Sequence, residues 1–527
     1  MIELQHKKAA VIGLGESGLA MARWLVRAGA DVTVFDDRAE PPALSMLQAE
    51  LPVARFCQRA LDADLLDEVQ GIDLLAWSPG VSIVTGRGAA LHVAAREAGV
   101  PVYGELDFFN AEIQRQREAG ENTAVVGITG TNGKTTVTRL TAFLANEAGV
   151  EAEVAGNISP SMLDALIRRL DDEDGRMPAL WVLELSSFQL AVAAAPLACR
   201  AATVLNITND HLDWHGTMKH YRDAKCRIYE GAELRVINLD DPLTDPDRLA
   251  PWDVQPVPEA VPEPLKGRAR KKVEAPPPPP LPRTVFSLNT PHTAPAFGVV
   301  REGGLAWLTE ALPEDTGQPS RRRKAQEEAA NVVLNRLMPA DALRLQGGHN
   351  HANVLAALAL LRACGVPMAA MLHGLRAFVP DDHRCAPVAI IRDVEYINDS
   401  KGTNIGATVA ALTGLGRRTV LIAGGVGKDQ DFSELAPAVA AYARAVVLIG
   451  RDAPILRAAL DEAGVPQVDA TDLPDAVRQA AGLAQSGDVV LLSPACASFD
   501  MFKGYDDRGN QFAEAVRAYA EEVGQPC

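Results

Sequence analysis

Val125-Val-Gly-Ile-Thr-Gly-Thr-Asn-Gly-Lys-Thr-Thr136 is an apolar run of strand type that breaks into a glycine-rich turn and continues as a helical pattern. Backbone N–H groups around Gly130 and Gly133 can turn towards an anion, the positive end of the following helix points there, and Lys134 adds a full charge. Thr135 has the position of a hydroxyl that binds Mg²⁺ beside a phosphate. An isoleucine replaces the first glycine of the strict G-x-x-x-x-G-K-[ST] pattern, so the segment predicts a near variant of the common phosphate-binding loop.

A second glycine-rich turn, Gly13-Leu-Gly-Glu-Ser-Gly18, lies near the start of the chain. Apolar runs at 9–12 and 31–35 flank this turn and the helical pattern that follows it. Strand, turn, helix, strand and then an acid, Asp36, is the order of a dinucleotide-binding unit in which the acid binds a ribose. Ser78 follows a third apolar run, either at the same edge or in a plain connecting turn. The pattern predicts a nucleotide-like ligand without identifying it.

Two further polar groups follow apolar strands in the middle of the chain. Glu184 ends one strand, and an acid there could reach a Mg²⁺ ion held by the phosphate loop, since a buried glutamate needs a partner. Asn209-Asp-His-Leu-Asp-Trp-His215 follows another strand, and its oxygen-rich composition favours Mg²⁺ over zinc. From the residues alone, His215 is predicted to be a surface or hydrogen-bonded histidine and Lys225 a surface residue of a helix.

Polar residues also follow strands in the last third of the chain. Asp399 follows the apolar run 394–398, and Gly424-Gly-Val-Gly-Lys428 follows another strand. A third strand leads into Ser493-Pro-Ala-Cys-Ala-Ser498. The carboxyl ends of parallel strands share one edge of an open sheet, and ligands bind at that edge. The pattern therefore predicts a third ligand-binding edge.

Length and pattern predict an α/β protein of three domains. They are an N-terminal Rossmann-like domain (1–104), a central domain with a P-loop ATPase-like parallel sheet (105–380) and a C-terminal Rossmann-like domain (381–527). Two insertions interrupt the central domain: a proline-rich, basic run near 255–283 and a polar run near 313–330. Both are typical of surface loops, with a proline-recognising partner as the alternative to an inert loop.

Composition excludes several classes of function. The net charge, 51 − 68 = −17, argues against nucleic-acid and acidic-membrane partners. The seven cysteines show no C-x-x-C spacing, which indicates reduced thiols. A strand pattern begins within a few residues of Met1, so we expect no signal peptide, and no uninterrupted apolar run reaches the ~18 residues that a membrane span needs. We expect a cytoplasmic monomer without membrane insertion.

Three sheet edges of the kind that bind ligands, together with one phosphate loop, predict an enzyme that uses several substrates and consumes a nucleoside triphosphate. Two alternatives remain. An oxidoreductase would use the N-terminal turn for NAD(P), but Lys134, Glu184 and His211 would then have no role. A regulator that hydrolyses ATP to change shape would turn over ATP whether or not an amino acid is present.

Six motifs resemble those of the Mur ligase family. They are Thr129-Gly-Thr-Asn-Gly-Lys-Thr-Thr136, Glu184-Leu-Ser-Ser-Phe-Gln-Leu190, Asn209-Asp-His-Leu-Asp-Trp-His215, His349-Asn-x-x-Asn353, Asn398-Asp-Ser-Lys-Gly-Thr-Asn404 and Leu492-Ser-Pro-Ala-Cys-Ala-Ser-Phe-Asp-x-Phe502. The resemblance implies ATP-dependent amide-bond formation in peptidoglycan precursor synthesis, with ATP and two Mg²⁺ ions. The C-terminal motifs resemble those of members that add D-glutamate to UDP-N-acetylmuramoyl-L-alanine through an acyl phosphate and a tetrahedral intermediate.

The resemblance also implies roles for individual residues. The implied catalytic residues are Lys134, Glu184, His211 and Lys225. The implied metal ligands are Thr135, Glu184, His211 and Lys225, the last if it is carbamylated. The implied ATP-binding residues are Gly130, Thr131, Asn132, Gly133, Lys134, Thr135, Thr136, Asn353, Arg384 and Asp399, with Lys401 nearby. The implied UDP-substrate residues are Ser17, Asp36, Asp37, Arg38, Ser78 and Asn157. The implied glutamate-binding residues are Thr403, Lys428, Ser498 and Tyr505.

Overall fold

The computed structural model describes residues 2–68, 71–172, 174–252, 281–314, 332–345, 347–379, 382–427 and 430–525. The chain divides into two compact units. Unit 1 comprises Met1–Thr129, Ala155–Ile207 and Asp213–Val285, and unit 2 comprises Gly130–Val154, Thr208–Leu212 and Phe286–Cys527. Lys428 and most of the two predicted insertions, 255–280 and 315–330, lie outside the described residues.

Strands and α-helices alternate along much of the chain. The strands are β1 Lys8–Ile12, β2 Asp31–Asp36, β3 Arg55–Gln58, β4 Leu74–Trp77, β5 Val102–Tyr103, β6 Ala124–Thr129, β7 Ala152–Gly156, β8 Leu180–Glu184, β9 Cys199–Val204, β10 Ala232–Asn238, β11 Arg283–Phe286, β12 Ala296–Glu302, β13 Leu305–Pro313, β14 Val332–Pro339, β15 Ala386–Ile391, β16 Val394–Asn398, β17 Thr419–Gly424, β18 Ala443–Ile449, β19 Gln467–Asp469 and β20 Val489–Leu492. The α-helices are α1 Glu16–Arg27, α2 Leu44–Glu50, α3 Asp64–Glu68, α4 Gly86–Glu97, α5 Glu105–Glu118, α6 Lys134–Glu147, α7 Met162–Asp171, α8 Ser187–Val192, α9 Leu212–His215, α10 Met218–Cys226, α11 Gly348–Ala363, α12 Met368–Ala377, α13 Ile405–Leu415, α14 Ala436–Tyr442, α15 Ala453–Leu460, α16 Leu473–Leu483 and α17 Tyr505–Glu522.

The first sheet of unit 1 has the strand order β3-β2-β1-β4-β5, with every neighbouring pair parallel. The order reverses between β1 and β4, and ligands of open parallel sheets bind at the carboxyl edge where the order reverses. The turn at Gly13 follows β1, and Ser78 follows β4. Both therefore lie at this edge, and the Rossmann-like prediction for the N-terminal part is confirmed.

Unit 1 also contains parallel strands in the order β10-β9-β6-β8. Residues 125–129 of β6 and all of β8 are buried, which explains their unbroken apolar sequence, since parallel strands are covered on both faces. Ile128 of β6 pairs in register with Glu184 of β8. Glu184 therefore lies at the sheet edge where the chain leaves β6 and enters the glycine-rich loop, as predicted.

The six-stranded sheet of unit 2 has the order β15-β16-β20-β17-β18-β19, and β15 alone is antiparallel to its neighbour. Alternate residues of its strands enter opposite cores: Leu421 and Leu491 pack in one, Val420 and Val490 in the other. This is a sheet covered on both faces. The C-terminal Rossmann-like prediction is confirmed.

Unit 2 also has antiparallel pairing of β12 with β13 and of β13 with β14, which the sequence analysis did not predict. Gly303 and Gly304 join β12 to β13 with φ values of 61° and 80°. Such a glycine pair favours the tight hairpin turn that matches strand twist, so a local signal was present.

The residues that the structure describes form an α/β protein with three sheets. The boundaries of the three predicted domains remain a prediction. Within the described part of the chain, no helix combines the length and hydrophobicity that a bilayer crossing requires.

Candidate active site

A cleft of about 680 Å³ opens at the carboxyl edge of the first sheet in unit 1. The five predicted residues of this edge all line it, and they are Ser17, Asp36, Asp37, Arg38 and Ser78. Its floor depends on close backbone packing, because a Cβ on Gly18 would lie 2.1 Å from the carbonyl oxygen of Gly13. The hydroxyl of Ser78 donates to that same carbonyl at 2.9 Å. The third glycine of the motif is therefore required by the contact between α1 and the loop after β1.

Asp36 and Arg38 form one fixed group in this cleft. Arg38 donates to Asp36 through Nε at 2.8 Å and through Nη2 at 2.7 Å, and the backbone N–H of Leu14 donates at 2.7 Å. Burial opposes ionisation of Asp36, but these hydrogen bonds outweigh it and hold its pKa below the ordinary value. The side chain of Arg38 stays about half exposed. Asp36 therefore holds a cationic, partly open guanidinium at the cleft.

The second part of the site in unit 1 is the end of β8. Glu184 is buried, and its Oε1 accepts from Nδ2 of Asn157 at 3.1 Å. Its Oε2 is also buried and has no hydrogen-bond partner among the described residues. An unpartnered carboxylate oxygen in the interior is costly, and a cation would offset that cost. Asn157, which the resemblance implied as a substrate residue, thus contacts Glu184, and the carboxylate keeps one oxygen that suits a metal.

Lys225 is buried, which corrects the surface position predicted from the residues alone. Its Nζ lies 4.6 Å from the ring centroid of Tyr221, one helical turn earlier on α10. The ring of His215 contacts Tyr221 at 5.3 Å, and its Nε2 lies 2.9 Å from the hydroxyl of Ser187. His215 is therefore a hydrogen-bonded core histidine, one of the two predicted possibilities.

The glycine-rich loop of unit 2 and its neighbours carry the residues predicted to bind phosphate. Nζ of Lys134 donates to the carbonyls of Gly130 and Thr131, each at 3.0 Å, so the lysine folds back over the loop. Gly133 has a φ of 83°, and a Cβ there would lie 2.6 Å from Oδ1 of Asn353. The start of α6 and the amide of Asn353 from α11, both in the predicted ATP-binding set, are therefore brought together.

Asn404 joins this loop and was not assigned a role by the sequence analysis. Its Nδ2 donates to Oδ1 of Asn132 at 3.1 Å, and its Oδ1 caps α13 by accepting from the N–H of Ala407. An asparagine directly before a helix is a signal for a cap, but its second contact depends on tertiary packing.

His211 lies in a separate polar turn and is exposed. Its φ is 55°, and its Nε2 lies 3.5 Å from Oδ2 of Asp210.

The loops after β16 and β20 of unit 2 carry Asp399, Lys401, Thr403 and Ser498, whereas Arg384 precedes β15 and Tyr505 begins α17. Asp399 is buried, and its oxygens accept from the hydroxyl of Ser493 at 2.7 Å and from the N–H of Cys385 at 3.3 Å. Burial raises the pKa of Asp399 to about 6, although those bonds and the nearby guanidinium of Arg384 oppose the rise. A nearby cation would therefore favour the ionised form.

The glutamate end of the predicted site has three described members. Lys401 places its Nζ 3.5 Å from the ring centroid of Tyr505, a cation–π contact. The N–H of Thr403 donates to the carbonyl of Lys401 at 2.8 Å, and Ser498 is buried. Thr403 and Ser498 lie on loops that follow β16 and β20, at the carboxyl edge of one sheet, whereas Tyr505 is the first residue of α17.

Family models match three segments of the chain. The Mur ligase MurD-like N-terminal domain matches residues 7–104, the Mur ligase middle domain matches 128–249, and the Mur ligase glutamate ligase domain matches 383–496. A UDP-N-acetylmuramoylalanine--D-glutamate ligase of Burkholderia pseudomallei (strain 668) is 49% identical over 99% of this chain and 98% of its own length. The chain belongs to the Mur ligase family. A ligase of the same name from Burkholderia thailandensis is also 49% identical over the same shares.

Solved structures of Mur ligases share the fold. UDP-N-acetylmuramate-alanine ligase of Thermotoga maritima has a TM-score of 0.51 at 18% identity, covering 98% of this chain and 100% of its own. MurF of Acinetobacter baumannii has a TM-score of 0.53 at 14% identity, covering 97% and 91%. At these identities the likeness concerns the fold alone, and it agrees with the α/β architecture described above.

Arg508 is a residue of this Mur ligase that the sequence analysis missed. Its guanidinium is fully buried and donates to the hydroxyl of Ser400 at 3.0 Å, to the carbonyl of Ser400 at 2.8 Å and to the carbonyl of Cys496 at 3.1 Å. Burial lowers its pKa to about 10, which leaves it charged at neutral pH. Arg508 thus ties the loop after β16 to the loop after β20.

We expect Arg508→Met to lower the melting temperature by about 5 °C, because two buried carbonyls and a hydroxyl lose a charged donor. Arg517→Met is the matched control, since Arg517 lies on the same helix and is exposed. It should change the melting temperature by less than about 1 °C. Scanning calorimetry of both variants makes the comparison. If Arg508→Met melted at the same temperature as the wild type, the three hydrogen bonds of Arg508 would contribute nothing to stability.

Proposed function

We propose that this chain is an ATP-dependent ligase that joins the amino group of D-glutamate to the alanine carboxyl of UDP-N-acetylmuramoyl-L-alanine. The observation that carries the proposal is the 49% identity, along 99% of the chain, to a ligase of that name. The described geometry supports it, because a nucleotide-type cleft, a phosphate loop and a polar sheet edge are what three substrates of this kind require.

The proposed reaction overcomes the poor electrophilicity of a carboxylate. The alanine carboxylate attacks the γ-phosphorus of ATP, which forms an acyl phosphate and releases ADP. The glutamate amine then attacks the acyl carbon, and the tetrahedral intermediate expels phosphate and leaves the amide. One proton leaves the amine, and the base that accepts it is not assigned. Lys134 and the N–H groups of its loop would stabilise the phosphoryl oxygens as charge moves between them.

We propose two Mg²⁺ ions as cofactors. The orphaned Oε2 of Glu184 fits a cation, and Thr135, His211 and a carbamylated Lys225 would be the other protein ligands. Among the described residues, no group of three or more His, Cys, Asp and Glu side chains converges in a metal-binding arrangement. Phosphate oxygens of the substrates are further ligands of the kind that Mg²⁺ prefers. When bound, Mg²⁺ neutralises charge on the transferred phosphoryl group.

Substrate positions follow the same proposal. The UDP moiety would occupy the cleft lined by Ser17, Asp37 and Arg38, and ADP would contact Asn353 and Asp399. Glutamate would meet Thr403, Ser498 and Tyr505, with Lys428 completing the clamp. We also propose a cytoplasmic monomer, because the reaction draws on intracellular nucleotides; light scattering at the monomer mass of 56.1 kDa would test the oligomeric state.

Phosphate release from ATP tests the proposed reaction. With UDP-N-acetylmuramoyl-L-alanine present, we expect release with D-glutamate and little with L-glutamate, other amino acids or none. Release with L-glutamate would change the product but keep the mechanism. Release that ignores the amino acid would favour a regulator that hydrolyses ATP. Stoichiometric binding of NAD(H) would favour the oxidoreductase alternative.

A further inference from the structure

Glu105 is a buried carboxyl group behind the nucleotide cleft of unit 1, and the proposed reaction gives it no role. It is the first residue of α5 and is 2% exposed. Its Oε1 accepts from the N–H of Leu163, near the start of α7, at 3.0 Å. Its Oε2 is buried without a hydrogen bond of ordinary geometry among the described residues. Oε1 therefore accepts a backbone hydrogen bond, whereas Oε2 can take up a proton.

The carboxyl group also connects to the cleft. Ser17, in the first turn of α1, and Ser161, which caps α7, are its neighbouring hydroxyl groups, and both act to lower its pKa. Ser17 lines the cleft. In a sheet of this type, a diphosphate binds at the start of the first helix, which is where Ser17 lies. Ser17 therefore stands between the carboxyl group and the expected position of the diphosphate.

The charges around Glu105 favour its neutral form. Helix α7 presents Asp164, which repels a carboxylate and is itself paired with Arg23 of α1 at 2.8 Å. On its own helix, Asp107 is occupied by the backbone N–H groups of residues 104, 194 and 195. Strand β5 contributes Tyr103, and α8 has no charged residue. Burial raises the pKa of Glu105 to about 7; hydrogen bonding from Leu163, Ser17 and Ser161 opposes the rise, and repulsion by Asp164 adds a little to it.

We propose that Glu105 takes up a proton when the uridine-diphosphate substrate binds beside Ser17, and that this turns the Ser17 hydroxyl into a donor to the diphosphate. The inference rests on the proposed function for its ligand. Ionised Glu105 only accepts hydrogen bonds, so it draws the Ser17 proton towards itself and leaves oxygen lone pairs facing an anion. Protonated Glu105 donates from Oε2, which frees the Ser17 proton for a phosphate oxygen. Glu105 is thus a positioning residue that acts through Ser17.

Proton linkage gives this role a signature that a merely structural residue lacks. If only the protonated form binds well, the dissociation constant rises about fivefold between pH 7 and pH 8. The same group affects folding. Its pKa is higher in the folded chain than its ordinary 4.5, so its stabilisation is complete below about 4.5 and is lost as the pH rises through about 7.

Calorimetric titration of UDP-N-acetylmuramoyl-L-alanine into the full-length protein tests the proposal. Titrations at pH 7 in phosphate and in Tris differ by the heat of any proton taken from the buffer. We expect the wild type to take up about half a proton per ligand. Glu105→Gln, which keeps the shape and carries no titrating group, should take up none, and its affinity should change less than twofold between pH 7 and pH 8.

Two further variants separate the role from general damage. Glu112→Gln changes another buried glutamate of α5, one paired with Arg115, and should keep the wild-type proton uptake. Ser17→Ala should bind more weakly and lose most of the pH dependence. Binding by the wild type without proton uptake, or equal uptake by Glu105→Gln, would overturn the inference alone. No binding of this nucleotide at all would overturn the proposed function and the inference together.

Discussion

Lys134→Ala is expected to lower kcat about 10²- to 10³-fold while the affinity for UDP-N-acetylmuramoyl-L-alanine stays within twofold. The phosphoryl oxygens would lose the one side-chain cation of the glycine-rich loop, whose Nζ now lies 3.0 Å from two loop carbonyls. The cleft proposed for the UDP moiety is lined by other residues, so the affinity for this substrate should stay as it was. Coupled phosphate release gives kcat, and calorimetry gives the affinity.

Lys134→Arg and Lys7→Ala complete this comparison. Arginine keeps the charge but is larger and planar, so it should restore little activity in a loop shaped for an ammonium group. Lys7 is 3.4 Å from Asp73 at the surface, and its loss should leave kcat unchanged. Turnover near the wild-type level in Lys134→Ala would remove the phosphate assignment of the loop.

Glu184→Gln is expected to reduce turnover by a similar factor but without loss of stability. The amide keeps an acceptor for Asn157, whereas the charge that would hold Mg²⁺ is gone. In the absence of nucleotide, the melting temperature should be equal to or above that of the wild type, because Oε2 is a buried anionic oxygen without a partner among the described residues. Added Mg²⁺ and a non-hydrolysable ATP analogue should stabilise the wild type more than the variant.

Glu310→Gln is the matched control for Glu184→Gln. Glu310 is equally a buried strand carboxylate, but Arg362 pairs with it at 3.0 Å. Its replacement should therefore lower the melting temperature and leave turnover intact, the opposite of Glu184→Gln. If both variants lose stability and both keep their activity, Glu184 is an ordinary structural acid and the metal assignment is wrong.

The features that the sequence predicted are those with a local cause. The glycine turns after β1 and β6 follow from residue type at fixed spacing, because only certain backbones make those turns. The burial of Glu184 at the end of β8 follows from an apolar run that parallel strands require. Ser17 and Ser78 each follow an apolar run of this kind, and strands that run parallel bring such residues to one edge of the sheet.

The features that the sequence did not predict depend on contacts between distant segments. Lys225 lies on a short polar helix, and nothing in its neighbours shows that this face packs inward. Arg508 reaches carbonyls that are far from it in the chain, and Glu105 meets helices α1 and α7 only through tertiary packing. The sequence pattern shows which residues are polar, whereas the packing of the sheets and helices determines which partners they contact.

The pairing of Arg38 with Asp36 also affects how binding energy is distributed. Holding a mobile arginine still at an interface ordinarily costs about 0.5–1.5 kcal/mol of conformational entropy. Here two hydrogen bonds within the protein already fix the guanidinium, so this cost falls on folding rather than on substrate capture. Binding of the uridine nucleotide proposed for this cleft should thus show a smaller entropic penalty than a flexible arginine would impose.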